Sequence, residues 1–277
     1  MILRARHHVF SFPRRPLVMG IVNLSADSFS GDGLSDCGAA LGHAQQLLAD
    51  GADLIDVGAE SARTNRGPIS AAEEAERLCA FVRGWREAGG GAPLSLNTWR
   101  PEVAEAVLPE GGDLLNDIGG LPDGRNAAIC ARHGAALLVM HSVGVPKVPH
   151  THVSYGDVLG AVEAFFEEKL ALCAQTGLEP ERILLDPGID FAKQRDDNLR
   201  IYARLERLHR FGRPLLLPVS RKTVIGEVLG IAEPAARDAG TVACIVQGML
   251  RGAHVFRVHN VRAAVATVRT IAAVLEA

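Results

Sequence analysis

Amides, carboxylates and cations recur in this 277-residue chain at one kind of place, directly after a short apolar run. Asn97, Asn116 and Asp186 close such runs and carry the donors and acceptors that read a flat, nitrogen-rich heterocycle edge-on. Asn23, Ser61, Arg63, Arg257 and His259 are of types that suit an anion such as phosphate or pyrophosphate. Ser220-Arg221-Lys222 lies between an apolar run and a helix start, where backbone N–H groups and the helix dipole add to the side-chain cations. Asp27, Asp56, Glu60, Asp117, His141 and Lys193 occupy the same kind of position. Plainer readings stand beside these. Arg63 reads also as a solvated loop charge, His141 as a satisfied strand-end histidine, and Asp186, before Pro187-Gly188, as a turn residue. Asp56 reads better as a structural carboxylate paired with a cation than as a catalyst. The histidines at 43, 133, 150, 152 and 209 lack zinc-ligand spacing.

A repeating unit must carry these groups. The stretch Val18–Gly33, VMGIVNLSADSFSGDG, begins as a run suited to a strand buried on both faces and breaks into a polar, glycine-interrupted loop. Ser35–Asp50 reads as an amphipathic helix, with Leu41, Ala44, Leu47 and Leu48 on one face, Ser35 as N-cap and Gly51 past its end. Then come a strand at Leu54–Ser61 and a helix at Ala71–Ala88 with a capping-box pattern, Ser70 and Glu73. The alternation continues. Strands are expected in Leu94–Thr98, Leu114–Gly120, Ala136–Ser142, Ile183–Phe191, Pro214–Lys222 and His254–Asn260. Helices are expected from Pro101, and over Asn126–His133, Val158–Thr176, Asn198–Leu208, Thr223–Leu229, Ala236–Arg251 and Val261–Leu275.

Strand then helix, about eight times over, is the spacing and length of a single-domain α/β (β/α)₈ barrel. A doubly wound open sheet is the alternative, but its usual Gly-rich first turn is missing. Residues 1–16, with Pro13 and Pro16, read as an N-terminal arm or hairpin ahead of a barrel spanning 17–277. In such a barrel the strand ends converge on one face, which would gather the polar groups.

Composition narrows the partners. A net charge of -3 leaves no electrostatic footprint for nucleic acid. No apolar run approaches the roughly 20 residues of a membrane span, and the basic N-terminus lacks the apolar core of a secretory signal. Five well-separated cysteines without a CxxC pair read as reduced thiols of a cytoplasmic protein.

Seven stretches, GIVNLSADSFSGDG, GADLIDVGAESAR, LNDIGGL, LVMHS, ILLDPGIDFAK, PVSRKTVIG and FRVHNV, occur in one order across the barrel. In these the chain resembles the dihydropteroate synthase family of the pterin-binding TIM-barrel superfamily. The resemblance implies a transferase of folate biosynthesis that joins a 6-hydroxymethyl-dihydropterin pyrophosphate to p-aminobenzoate, with Mg²⁺ assisting departure of pyrophosphate. It further implies that Asn97, Asn116, Asp186, Lys222 and Arg257 face the pterin, and that Asn23 touches the Mg²⁺–pyrophosphate. Arg63 and His259 would grip the anion, Phe29, Phe191 and Ser220 would lie near the aminobenzoate, and Asp27 would act from the first loop. A homodimer belongs to the same expectation, and Ala62 and Thr64, by reshaping the aminobenzoate pocket, would make such a synthase poorly inhibited by sulfonamides. The chain departs from the family at Ala62, Thr64, Asn97, Asp190, Ala192 and Asn260. These departures leave open a pterin-binding paralogue without synthase chemistry, or a pterin-dependent methyltransferase.

Overall fold

In a computed structural model of the chain, the described residues are 1–24, 33–60, 67–148, 150 and 153–277. The expectations at Asp27, Phe29, Ser61, Ala62, Arg63 and Thr64 lie outside them. Eight short strands rich in Val, Leu and Ile form a parallel ring: β3 (Leu17–Asn23), β4 (Leu54–Gly58), β5 (Leu94–Asn97), β6 (Leu114–Asp117), β7 (Ala136–Met140), β8 (Ile183–Asp186), β9 (Leu216–Pro218) and β10 (Val255–Val258). Neighbours pair in chain order, and β10 returns to β3. A Leu185–Leu215 bridge, with the Leu185 N–H donating to the Pro214 carbonyl at 3.0 Å, joins β8 to the β9 side. This is the expected (β/α)₈ barrel. The helices outside it are α1 (Gly33–Ala49), α2 (Ala71–Glu87), α3 (Pro101–Val107), α4 (Arg125–His133), α5 (Val158–Gln175), α6 (Arg195–Ala203), α7 (Thr223–Leu229), α8 (Asp238–Leu250) and α9 (Val261–Glu276).

Alternation along each strand sorts the side chains. Ile55, Val57, Leu94, Leu96, Leu115 and their equivalents pack outward in one core with the helices. From α2 that core takes Leu78, Phe81, Val82 and Trp85, at the three- and four-residue spacing of one helix face, each contributing roughly 1.5–3 kcal/mol. Leu17, Met19, Leu54, Leu114, Leu138, Leu184, Leu216 and Val255 form a second core inside the barrel. An antiparallel hairpin, β1 (Ile2–Ala5) with β2 (His8–Ser11), adds Leu3, Ala5 and Phe12 to it. Two residues further along the strands, the inward positions become Asp56, Asn116, Asp186 and Arg257. The barrel is apolar at the end the hairpin covers and polar at its mouth.

Some helix bounds differ from expectation. α1 begins at Gly33, so Ser35 lies in its first turn and is not the N-cap. At α2, Ser70 Oγ accepts the Glu73 N–H at 3.2 Å, but the Glu73 carboxylate pairs with Arg77, which leaves half a capping box. The helix expected over 198–208 splits at Arg204 into α6 and a 3₁₀ segment, Leu205–Phe211, whose three-residue spacing buries Leu205 and Leu208 together. A complete capping box, Gln194 with Asp197, opens α6 where none was expected.

Candidate active site

Asp56, fully buried inside the barrel, is the hub of the mouth. Its Oδ1 accepts from Ser95 Oγ at 2.5 Å and Asn116 Nδ2 at 3.1 Å. Its Oδ2 accepts from Arg257 Nε at 2.7 Å and Asn97 Nδ2 at 3.5 Å. The structural carboxylate read from the sequence is present, and its cation is Arg257. The hub also orients both amides. A carboxylate paired with a guanidinium only accepts, so it draws the two NH₂ groups toward itself. The Oδ1 atoms of Asn97 and Asn116 are buried with no hydrogen-bond partner among the described residues. An unmet buried acceptor costs about 1–3 kcal/mol, which a ligand N–H would offset.

Asp186 is 4% exposed at the end of β8, and its Oδ1 accepts the Gly188 N–H at 2.7 Å. Burial pushes its carboxyl up to about 6, against the opposing pull of the Gly188 N–H and of Lys222, Lys193 and Arg257. The turn and the site reading coexist here. Gly188, at φ 70°, has no alternative, because a Cβ would collide with the His141 carbonyl oxygen. Lys193 braces this turn, with Nζ 2.8 Å from His141 Nδ1, 2.9 Å from the Gly188 carbonyl and 3.0 Å from that of Phe191. Burial lowers Lys193 to about 7 and His141 to about 3. The imidazole is therefore neutral, and its Nδ1 is hydrogen-bonded to Lys193 Nζ. His141 is the satisfied strand-end histidine, seated edge-on against Phe165 at 4.9 Å.

Across the mouth, Lys222 Nζ donates to the Ile189 carbonyl at 2.8 Å and lies 5.1 Å from the centre of the Phe191 ring. Burial lowers its pKa. Ser220 Oγ accepts the His259 backbone N–H at 3.1 Å and sits 2.9 Å from His259 Nδ1. Asn23 ends β3 with an exposed side chain. Three sequence expectations need correction. Arg221 is not a site cation, because Asp238 binds its guanidinium through two contacts of 2.8 and 3.1 Å. The start of α7 is not open to an anion, because Asp190 accepts the Thr223 and Val224 N–H groups. Asp117 faces outward, where it accepts from Asn126 Nδ2 and the Gly119 N–H at 2.8 Å each.

Other supports carry weaker sequence signals. Arg100 pairs with Glu60 and Glu74 and donates to the Ile69 carbonyl at 3.2 Å. Lys147 reaches Glu60 and the Gly67 carbonyl, both at 2.9 Å. Two cations thus tie down the residues on either side of 61–66. Only Glu60, among these, stands at a strand end where the sequence draws attention to it.

A parallel barrel whose mouth sets buried amide and carboxyl acceptors against half-buried cations defines an enzyme for a flat, polar heterocycle. Comparison with known proteins makes the class particular. The chain belongs to the pterin binding enzyme family, which matches over residues 19–259, and within it to the dihydropteroate synthases. It is 40% identical over 257 residues to the dihydropteroate synthase of Neisseria meningitidis serogroup C, covering 90% of this chain and 89% of that one. Against the Escherichia coli K12 enzyme the figures are 36% over 263 residues, 95% and 93%. The structure of Xanthomonas albilineans dihydropteroate synthase with 4-aminobenzoic acid matches at a TM-score of 0.91 and 34% identity, covering 100% of this chain and 98% of that one.

Proposed function

We propose that this chain is a dihydropteroate synthase, condensing 6-hydroxymethyl-7,8-dihydropterin pyrophosphate with p-aminobenzoate to give dihydropteroate and pyrophosphate. The carrying observation is the set of acceptors at the mouth: the Oδ1 atoms of Asn97 and Asn116, without a partner among the described residues, with the Asp186 carboxyl. A pterin presents several N–H donors along one edge and a carbonyl oxygen that a lysine or arginine can meet. The relatives support the reading, among them the X. albilineans enzyme solved in complex with 7,8-dihydropteroate.

In this reading the bond from the exocyclic methylene to pyrophosphate breaks, positive charge grows on the pterin, and the arylamine nitrogen attacks the methylene. An ionised Asp186 favours that charge from a fixed position in a buried site. Lys222 and Arg257 bind and orient the ring, and His259, held by Ser220, lies on the side of the leaving anion. Phe191, with the Phe29, Asp27 and Arg63 assigned by family resemblance, completes the aminobenzoate and anion sides. Among the described residues no group of three or more His, Cys, Asp or Glu is placed to hold a metal ion. Mg²⁺ takes one or two hard protein oxygens and the rest from substrate phosphates and water. The exposed Asn23 carboxamide supplies such an oxygen. When bound, the ion neutralises charge on the departing pyrophosphate.

A homodimer is part of the proposal, and a second copy would cover Val228, Leu229 and Leu250, which α7 and α8 leave exposed. No helix among the described residues is long and apolar enough to cross a membrane. The deciding experiment is pyrophosphate release from the pterin pyrophosphate in Mg²⁺, with and without p-aminobenzoate. Aminobenzoate-dependent release with dihydropteroate as product is expected. Pterin binding without it would overturn the synthase reading in favour of a non-synthase paralogue.

A further inference from the structure

Residues 189–191 hold Lys222 twice through its side chain, at the Ile189 carbonyl and over the Phe191 ring. Between those contacts sits Asp190, whose carboxylate takes hold of the main chain just after Lys222. Its Oδ2 accepts the Thr223 N–H at 2.5 Å, and its Oδ1 accepts the Val224 N–H at 3.3 Å. The same Oδ1 accepts from Asn198 Nδ2 at 3.3 Å, while Asn198 Oδ1 accepts the Asp190 N–H at 2.9 Å. One side chain therefore joins the turn after β8, the first residues of α7 and the body of α6. Its backbone stands at φ 67°, the left-handed region that favours glycine and that Asp and Asn visit through local hydrogen bonds. A glycine would adopt this backbone freely and supply none of the side-chain bonds.

We propose that Asp190 is a positioning residue for Lys222, clasping the main chain just after it, at Thr223 and Val224, while Ile189 and Phe191 clasp the Lys222 side chain. The clasp fixes where the ammonium stands at the barrel mouth. The inference rests on the synthase reading for its kinetic consequence and on geometry alone for its binding consequence.

The test uses the full-length protein as wild type, Asp190→Gly and Asp190→Asn. Glycine keeps the backbone and removes the clasp, whereas asparagine tolerates the backbone and keeps an acceptor oxygen. Asp190→Gly is expected to lower kcat/KM for the pterin pyrophosphate roughly fivefold, the scale of one lost hydrogen bond of about 1 kcal/mol. Its thermal midpoint should stay level or rise. Asp190→Asn should stay within about twofold of wild type on the same scale. Wild-type kinetics in Asp190→Gly would overturn the proposal, as would an equal loss in Asp190→Asn, since charge rather than placement would then be at work. An inactive wild type would count against the synthase reading alone. Calorimetric affinity for the pterin pyrophosphate would then decide the clasp, with the same fivefold weakening expected in glycine only, and equal affinities refuting it.

Discussion

Replacing Asn97 by aspartate restores the residue the family resemblance leads one to expect, and the surroundings of this position set its cost. Asn97 Nδ2 lies 3.5 Å from Oδ2 of the fully buried Asp56. The substitution turns that donor–acceptor contact into two carboxylate oxygens at the same separation. At an effective dielectric of about 20, unit charges so placed repel by roughly 5 kcal/mol. Arg257, 2.7 Å from the same Oδ2, offsets part of this. A net loss of about 1–3 kcal/mol at alkaline pH is the expected outcome, within the range for an unfavourable buried charge. The new carboxyl escapes by taking up a proton, so its folded pKa stands above the unfolded value of about 3.9. A raised folded pKa means that the fold binds the proton more tightly. The cost is therefore absent below the unfolded value and grows by at most about 1.4 kcal/mol per pH unit up to the folded value, where it levels off. Urea unfolding of Asn97→Asp and wild type in parallel, at about pH 4, 6 and 8, measures the difference. Equal stability at all three would refute the reasoning, because Arg257 would then neutralise two carboxylates as fully as one. Turnover adds a second reading of the same charge. An ionised Asp at 97 stands beside the developing pterin cation, so faster turnover is expected, and only on the alkaline side.

Asp186, held up to about 6 by burial, predicts that kcat/KM for the pterin pyrophosphate falls as pH drops below that value and the carboxylate takes up its proton. Stability should move the other way. A raised folded pKa makes the Asp186 contribution more favourable as pH falls through 6 toward the unfolded value, so a profile flat from pH 8 to 5 in both measurements would remove the assignment. Lys222→Ala and Asp186→Ala should each lower kcat/KM at least roughly tenfold, or about 1.4 kcal/mol of transition-state stabilisation. Normal steady-state kinetics in both would displace the site from this mouth. Asp56→Ala strands the Arg257 guanidinium and should cost about 3–5 kcal/mol in urea unfolding. A loss below about 1 kcal/mol, the scale of an exposed pair, would mean that the hub carries little of the fold.

The barrel was legible because each strand is an apolar run followed by polar residues, a pattern that survives without knowledge of the partners. The site was legible at its inward positions for the same reason. Asn116 and Asp117 show where that reading stops. They are adjacent at a strand end, so they must face opposite sides, and only the one in register with Leu114 enters the barrel. Arg221 stands between Ser220 and Lys222 and turns outward to Asp238 through a left-handed backbone, φ 57°. Its residue type alone suggested an anion contact. The pairings that fix the mouth are remote in sequence: Asp56 with Arg257 across 201 residues, and His141 with Lys193 across 52. No periodicity marks such pairs. The closing of the barrel creates them.

Three departures from the family pattern have partners that suit them. Asn97 donates to Asp56, where a carboxylate would be repelled. Asn260 caps α9 by accepting the Ala263 N–H at 3.1 Å and donates to Asp238 at 2.9 Å, where a second carboxylate would again meet its like. Asp190 fills a left-handed position with a side chain that accepts two N–H groups of α7. Asp238, in turn, is the residue that holds Arg221 out of the mouth. A change at 260 therefore reaches the Ser220–Lys222 segment from one side, as a change at 190 reaches it from the other. Asn97 belongs to a separate set centred on Asp56. Restoring aspartate at 97 or 260 alone would set a carboxylate against Asp56 or Asp238, each of which the present amide meets with a donor.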